Sequence, residues 1–154
     1  SGVDAAKALA LGADAVSIGT AALIALNCNA PLYEEDYEDL GTRPGYCHHC
    51  HTGRCPVGIT TQDPALMDRL EVDAAADRVF NFLQSMTMEM QMMARACGKN
   101  DVHDLEAEDM RALTLEASLI TGIPLAGTDF TLRPEDIAAA VAARLAGGGN
   151  GKAH

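Results

Sequence analysis

The order of apolar and polar positions predicts a run of helices with one short strand near the start. Residues 4–11 (DAAKALAL) predict a short helix stopped at Gly12, a residue that enters the left-handed region at a helix end without strain. Residues 15–18 (AVSI) are an apolar run between Gly12 and Gly19 and predict a strand. Residues 21–26 (AALIAL) return to helix. Helix, strand, glycine and helix in close succession is the rhythm of a parallel α/β fold. One strand makes no sheet, so the sequence is expected to be a piece of a longer protein, or half of a split one.

Residues 29–46 (NAPLYEEDYEDLGTRPGY) are polar and acidic, with two prolines and two glycines. They predict a surface insertion with one helical turn at 34–40. Residues 47–64 read as loop, dense in His, Cys, Gly and Thr. Beyond Asp73 the period changes. Val79, Phe80, Phe82, Leu83, Met86, Met90, Met93 and Cys97 fall at three- and four-residue steps, which predicts a long helix with one apolar face. Asp73 suits its cap and Gly98 its stop. Met88 and Met92 widen the stripe. A second helix is predicted over 107–121, ending at Gly122 before Pro124. A third is predicted over 134–145, because proline suits a first helical turn. Residues 147–154 predict a flexible tail, and no internal repeat is present.

Composition narrows the choices. The 154 residues suffice for one ordinary domain, and 48% apolar content is a globular value. Aromatics are 4% with no Trp, so Ala, Leu and Met supply the apolar mass and favour helix. A net charge of −11 with scattered Lys and Arg argues against nucleic acid. No apolar stretch approaches the ~18 residues of a membrane span, and no signal pattern opens the chain. Five cysteines, three of them between positions 47 and 55, fit a metal or cluster site in a reducing compartment better than a disulfide framework. The cytoplasm is the expected location.

The densest chemical signal is Cys47-His-His-Cys50-His51-Thr-Gly-Arg-Cys55-Pro56-Val-Gly58. Cys47, Cys50 and His51 match the short attachment pattern of a c-type haem, a pattern of low specificity. Cys and His at close spacing also suit zinc, with His48, His49 or Cys28 completing a shell. Several cysteines, the last followed by proline, suit an iron–sulfur cluster. Local chemistry leaves zinc and iron–sulfur nearly level.

The flanks separate them. GADAVSIGTAALIAL, then CHTGRCPVGITTQDP, then the long helix leading to RACG together resemble the end of the FMN-binding domain of glutamate synthase large subunits. The resemblance covers residues 1 to about 127 and implies the last helix–strand–helix units of a (β/α)8 TIM barrel, an α/β fold. It implies a barrel end at 1–28, an acidic insertion at 29–46, an iron–sulfur loop at 47–64, a helical extension at 65–146 and a tail at 147–154. Such barrels grip phosphate with their last two loops and a helix N-terminus, which implies FMN phosphate contacts at Gly2, Gly19 and Thr20. The family binds a three-iron cluster through three cysteines. Cys50 and Cys55 match the second and third, and Cys28 the first by context, although 21 residues separate Cys28 from Cys50. Cys47 has no counterpart in that pattern. Metal ligands are therefore expected at Cys28, Cys47, Cys50 and Cys55, in a 3Fe-4S or a 4Fe-4S cluster. Cys97 stands apart and reads as an apolar thiol.

The resemblance further implies an oxidoreductase acting on CH–NH2 donors: reductive amination of 2-oxoglutarate to glutamate, with electrons passing through the cluster to FMN. Residues that hold the flavin ring and the oxoacid would precede this sequence. Implied partners are the remaining barrel segment, a glutamine amidotransferase subunit, and an NAD(P)H reductase subunit or ferredoxin. The insertion also resembles that of stand-alone FMN-domain proteins of the family, such as the C subunit of N-methylglutamate synthase, which leaves methylamine open beside ammonia. The rival class is a zinc-stabilised helical module that binds a partner through its Met-rich helix.

Overall fold

The computed structural model describes residues 1–128, 131 and 133–147. Seven α-helices run through them: α1 (Gly2–Ala10), α2 (Thr20–Ala25), α3 (Glu34–Asp39), α4 (Pro64–Met67), α5 (Val72–Ala96), α6 (Leu115–Thr121) and α7 (Pro134–Gly147). Three 3-10 turns, Pro31–Tyr33, Val102–Asp104 and Ala107–Asp109, punctuate the loops. The tail predicted over 147–154 lies outside the described residues, apart from Gly147 at the end of α7.

Helix ends are written in the local sequence. Gly12, Gly41 and Gly98 adopt φ of 96°, 70° and 75° just past α1, α3 and α5. In each case the glycine N–H and the next one reach back to two final carbonyls, as in Gly98 N to Arg95 O at 3.0 Å and Lys99 N to Ala94 O at 2.8 Å. This Schellman arrangement satisfies carbonyls that the helix leaves open. The expected stop at Gly122 forms as well, with φ of 73°. The long helix starts at Val72, so Asp73 lies in its first turn rather than at its cap, where its charge still opposes the positive helix end.

Two sequence expectations fail. Residues 15–18 form no strand, because an extended segment with no neighbour to pair its N–H and C=O groups gains nothing from being a strand. The helix expected over 107–121 is broken: a 3-10 turn at Ala107–Asp109 is followed by extended backbone, and α6 begins only at Leu115. A tertiary pairing competes there. Ala112 N donates to Pro124 O at 2.9 Å and Ala112 O accepts from Ala126 N at 2.8 Å, a parallel bridge between Ala112 and Leu125. Thr114 then caps α6, its hydroxyl accepting from Ala117 N at 3.1 Å.

The chain divides into two compact units. One comprises Ser1–Gly2 with Val16–Glu89, and its core gathers Ala30, Tyr37, Cys55 and Val57. The other comprises Val3–Ala15 with the described residues from Met90 onward, and its core gathers Ala6, Ala10, Ala94 and Leu105, with Cys97 packed against it. Small residues dominate that second core, so helices meet closely while little apolar area is buried. The stripe of α5 forms as a helix face but stays largely open: Phe80 is 63% exposed and Met92 65%.

Candidate functional site

Cys28 is set by the end of α2. Asn27 takes φ of 75°, a left-handed conformation that asparagine tolerates better than most residues. Asn27 N then donates to Ile24 O at 2.8 Å and Cys28 N to Leu23 O at 3.0 Å, again the Schellman pattern. The family-like AALIALNC string thus delivers a thiol at a fixed turn. Cys47 and Cys50 follow in the turn-rich loop, Cys47 half-buried and Cys50 exposed.

Cys55 is buried. Burial by itself raises its pKa, but the backbone N–H groups of Thr60, Val57 and Ile59, with the Thr60 hydroxyl, outweigh it and lower the thiol below its ordinary value. That ring of donors exists because the chain folds back after Pro56. Gly58 turns it with φ of 79° and passes so close to α4 that a β-carbon would stand 2.3 Å from the Leu66 carbonyl oxygen. Thr60 Oγ1 is buried without a hydrogen-bond partner of normal geometry, although it lies near enough to the Cys55 thiol to lower it.

The expected surface insertion is more than surface. Tyr37 of α3 is fully buried, in the core cluster against which Cys28 and Cys47 pack and to which Cys55 belongs. Its hydroxyl donates to the Cys28 carbonyl at 2.5 Å. Burial, then the charges of Cys28, Cys47 and Cys55, push this phenol up to about 12. Burial, then the charges of Cys50, Cys55 and Cys47, push the Cys28 thiol up as well. Cys28, Cys47 and Cys55 meet at one core cluster, and Cys50 stays exposed in the same loop. Nearby, Arg69 Nη1 bonds Asp36 Oδ2 at 3.0 Å and the Pro56 carbonyl at 2.8 Å, with its guanidinium 4.8 Å over the Tyr33 ring.

Among the described residues no three His, Cys, Asp or Glu side chains converge on a single metal ion. A cluster of several irons does not ask for that convergence, because each cysteine binds its own iron. Four free thiols, amide donors aimed at one of them and an unpartnered buried hydroxyl beside it form a donor set suited to a sulfide-bridged group.

The expected phosphate contacts are placed differently. Gly19 precedes α2 with φ of 42°, and Thr20 is its first residue. Space around Gly19 is open, with no atom within 4 Å of where a β-carbon would be. Gly2 opens α1, where its N–H already donates to Glu89 Oε2 at 2.6 Å.

Sequence reasoning passed over Tyr37, Asp36, Thr60 and Arg69. For Tyr37 a signal existed: it is the only aromatic in the acidic helix EEDYED, and so the one side chain there with apolar area to bury.

Comparison with known proteins supplies the family. Residues 1–100 match the family described as the conserved region in glutamate synthase. The chain is 58% identical over 130 residues to a glutamate synthase large subunit-like protein of Rhizobium meliloti (strain 1021), covering 84% of this chain and 29% of that protein. It is 37% identical over 128 residues to an archaeal-type glutamate synthase (NADPH) of Dehalococcoides mccartyi, covering 80% of this chain and 22% of that protein. An archaeal glutamate synthase (NADPH) of Archaeoglobus fulgidus is 39% identical over 115 residues, 73% of this chain and 19% of that protein. The chain thus spans less than a third of the length of these relatives. No solved structure matches it. With 100 of its residues matched by the conserved region, the chain belongs to the glutamate synthase family.

Proposed function

We propose that this chain is the cluster-bearing part of an FMN- and iron–sulfur-dependent glutamate synthase-type oxidoreductase, which aminates 2-oxoglutarate reductively to glutamate. The observation that carries the reading is the gathering of three free thiols at one core cluster, Cys55 within it and Cys28 and Cys47 packed against it, with Cys50 exposed in the same loop. Cys28, Cys47, Cys50 and Cys55 would hold an iron–sulfur cluster of three or four irons. When bound, such a group supplies one-electron transfer between a reductase partner and a flavin. The chain's own residues do the rest. The amides of Val57, Ile59 and Thr60 favour the charged form of Cys55, the form a metal requires. The buried Thr60 hydroxyl beside Cys55 has one proton to donate, and a thiolate or an inorganic sulfide is an acceptor it suits.

In this reading residues 1–28 close a (β/α)8 barrel, 29–46 are the insertion, 47–64 the cluster loop and 65–146 the helical extension. The open stripe of α5, with Phe80, Leu83 and Met92 exposed, supports a larger domain around it, because apolar area of that kind is normally covered. Residues 15–18 would pair as a strand in such a barrel. Gly19 and Thr20 are the proposed flavin-phosphate contacts. At Gly2 a phosphate would first displace the Glu89 carboxylate, so no step of the reaction is assigned there. A glutamine amidotransferase and a reductase or ferredoxin are the proposed partners.

Anaerobic purification of the protein at its natural length, with iron and sulfide analysis, tests the proposal. Roughly three to four of each per chain are expected. Zinc alone, with no visible charge-transfer absorbance, overturns it in favour of a zinc-stabilised module.

A further inference from the structure

We propose that Tyr37 is a positioning residue of the thiol centre, through which the acidic insertion seats Cys28 and seals the inner side of the thiol group. The redox consequence rests on the cluster reading above; the seating of Cys28 does not.

Six residues, EEDYED, are far too few for a helix stable on its own, and five of them are acidic and repel one another. Glu34, Glu35, Glu38 and Asp39 are exposed, whereas Tyr37 is fully buried. The helix is therefore held by the core cluster that Tyr37 shares with Ala30, Cys55 and Val57, against which Cys28 and Cys47 pack. The hydroxyl reaches past the ring to the Cys28 carbonyl at 2.5 Å. That bond fixes the peptide from which the Cys28 side chain departs, in a turn already defined by Asn27.

The preceding residue makes the same kind of connection elsewhere. Asp36 holds Arg69, and Arg69 holds the carbonyl of Pro56, next to Cys55. Two consecutive residues of the insertion thus brace the first and the last thiol of the set, which are separated by 26 intervening positions. Loop closure over that length is unfavourable unless something holds the ends. Cys50 is exposed and stands outside the core cluster at which the other three thiols gather. The phenol backs three thiols and leaves the fourth to solvent.

The test is thiol alkylation in the natural-length protein, metal-free and reduced, read cysteine by cysteine by peptide mass spectrometry. In the unaltered protein Cys50 reacts fast and Cys28 slowly. Tyr37→Phe keeps the ring and removes the hydroxyl; Cys28 alkylation is expected to rise about two- to tenfold, the scale of one hydrogen bond. Tyr37→Leu is expected to accelerate Cys28, Cys47 and Cys55 together while leaving Cys50 unchanged. Cys97, in the other unit, is the control. Equal acceleration at Cys97 means general loosening and overturns the proposal, as does a Cys28 rate unmoved by either variant. In iron-loaded protein, Tyr37→Phe is expected to keep its iron and sulfide but to alter the paramagnetic resonance line shape. An unaltered protein without iron, but with Cys28 protection that depends on Tyr37, upholds the positioning role and removes the cluster reading.

Discussion

The backbone N–H of Gly2 donates to Glu89 Oε2 at 2.6 Å, across 87 positions of the chain. A β-carbon on Gly2 would stand 2.2 Å from the Met86 carbonyl oxygen, so the contact requires glycine for closeness, not for an unusual φ. Gly2→Ala is expected to destabilise by about 1–3 kcal/mol, the cost of overpacking a close backbone contact. Glu89→Ala removes a charge-assisted bond and is expected to cost about 1 kcal/mol, less than the buried case because the site is partly open. Urea unfolding midpoints check both, and Gly2→Ala as stable as the parent would contradict the close approach.

Gly58 combines both demands on glycine. Its φ is 79° and the Leu66 carbonyl oxygen stands 2.3 Å from a β-carbon built there. Gly58→Ala is expected to cost more than about 2 kcal/mol, left-handed strain adding to the clash. The same change should expose Cys55 to alkylating reagent, because the amides that surround it are presented by this turn. Unaltered Cys55 reactivity would show that the donor ring forms without the turn.

Arg69 carries three contacts at once, to Asp36, Pro56 and the Tyr33 ring. Its side chain is 28% exposed, so solvent weakens the ion pair. Arg69→Ala is expected to lower stability by about 1–2 kcal/mol, from the carbonyl bond and the ring contact more than from the charge. Arg69→Lys keeps the charge without the planar fork and should recover only part of the loss. Thermal unfolding of the two variants decides it, and full recovery by lysine would mean that charge alone matters.

Tyr37 sets a pH dependence with a definite sign. Its folded pKa stands at about 12, raised from 10.0 first by burial and then by the Cys28, Cys47 and Cys55 charges. The fold keeps a proton that the unfolded chain releases above pH 10, so this contribution is whole below pH 10. It is lost as pH rises towards 12, at up to about 1.4 kcal/mol per pH unit. Metal-free protein unfolded in urea at several alkaline pH values, compared with Tyr37→Phe, isolates the effect. A variant with the same alkaline slope as the parent would refute it.

The cysteines make a further comparison. Cys55→Ser is expected to abolish iron and sulfide binding. Cys47→Ser, at the position without a counterpart in the family pattern, is expected to convert a four-iron spectrum into a three-iron one. Iron analysis and paramagnetic resonance distinguish the two, and identical behaviour would end any special role for Cys47.

What the sequence determined by itself is local. α1, α5 and α7 follow from apolar period and helix-forming residues, and the stops at Gly12, Gly98 and Gly122 follow from the freedom of glycine at φ of 73–96°. These are decided within a few residues, so a single chain read in order reveals them. The short turn at α3 was legible on the same grounds, and the thiol spacing pointed to the cysteine loop. Tertiary structure decided the rest. Residues 15–18 are apolar enough for a strand, yet a strand is a relation between segments and none among the described residues pairs with them. The helix expected across 107–121 yields at Ala112, because a partner at Pro124–Ala126 satisfies its backbone instead. The burial of Tyr37 has the same origin. EEDYED marks Tyr37 as the one side chain such a helix could bury; whether anything covers it depends on Cys28, Cys47 and Cys55 arriving from elsewhere in the chain.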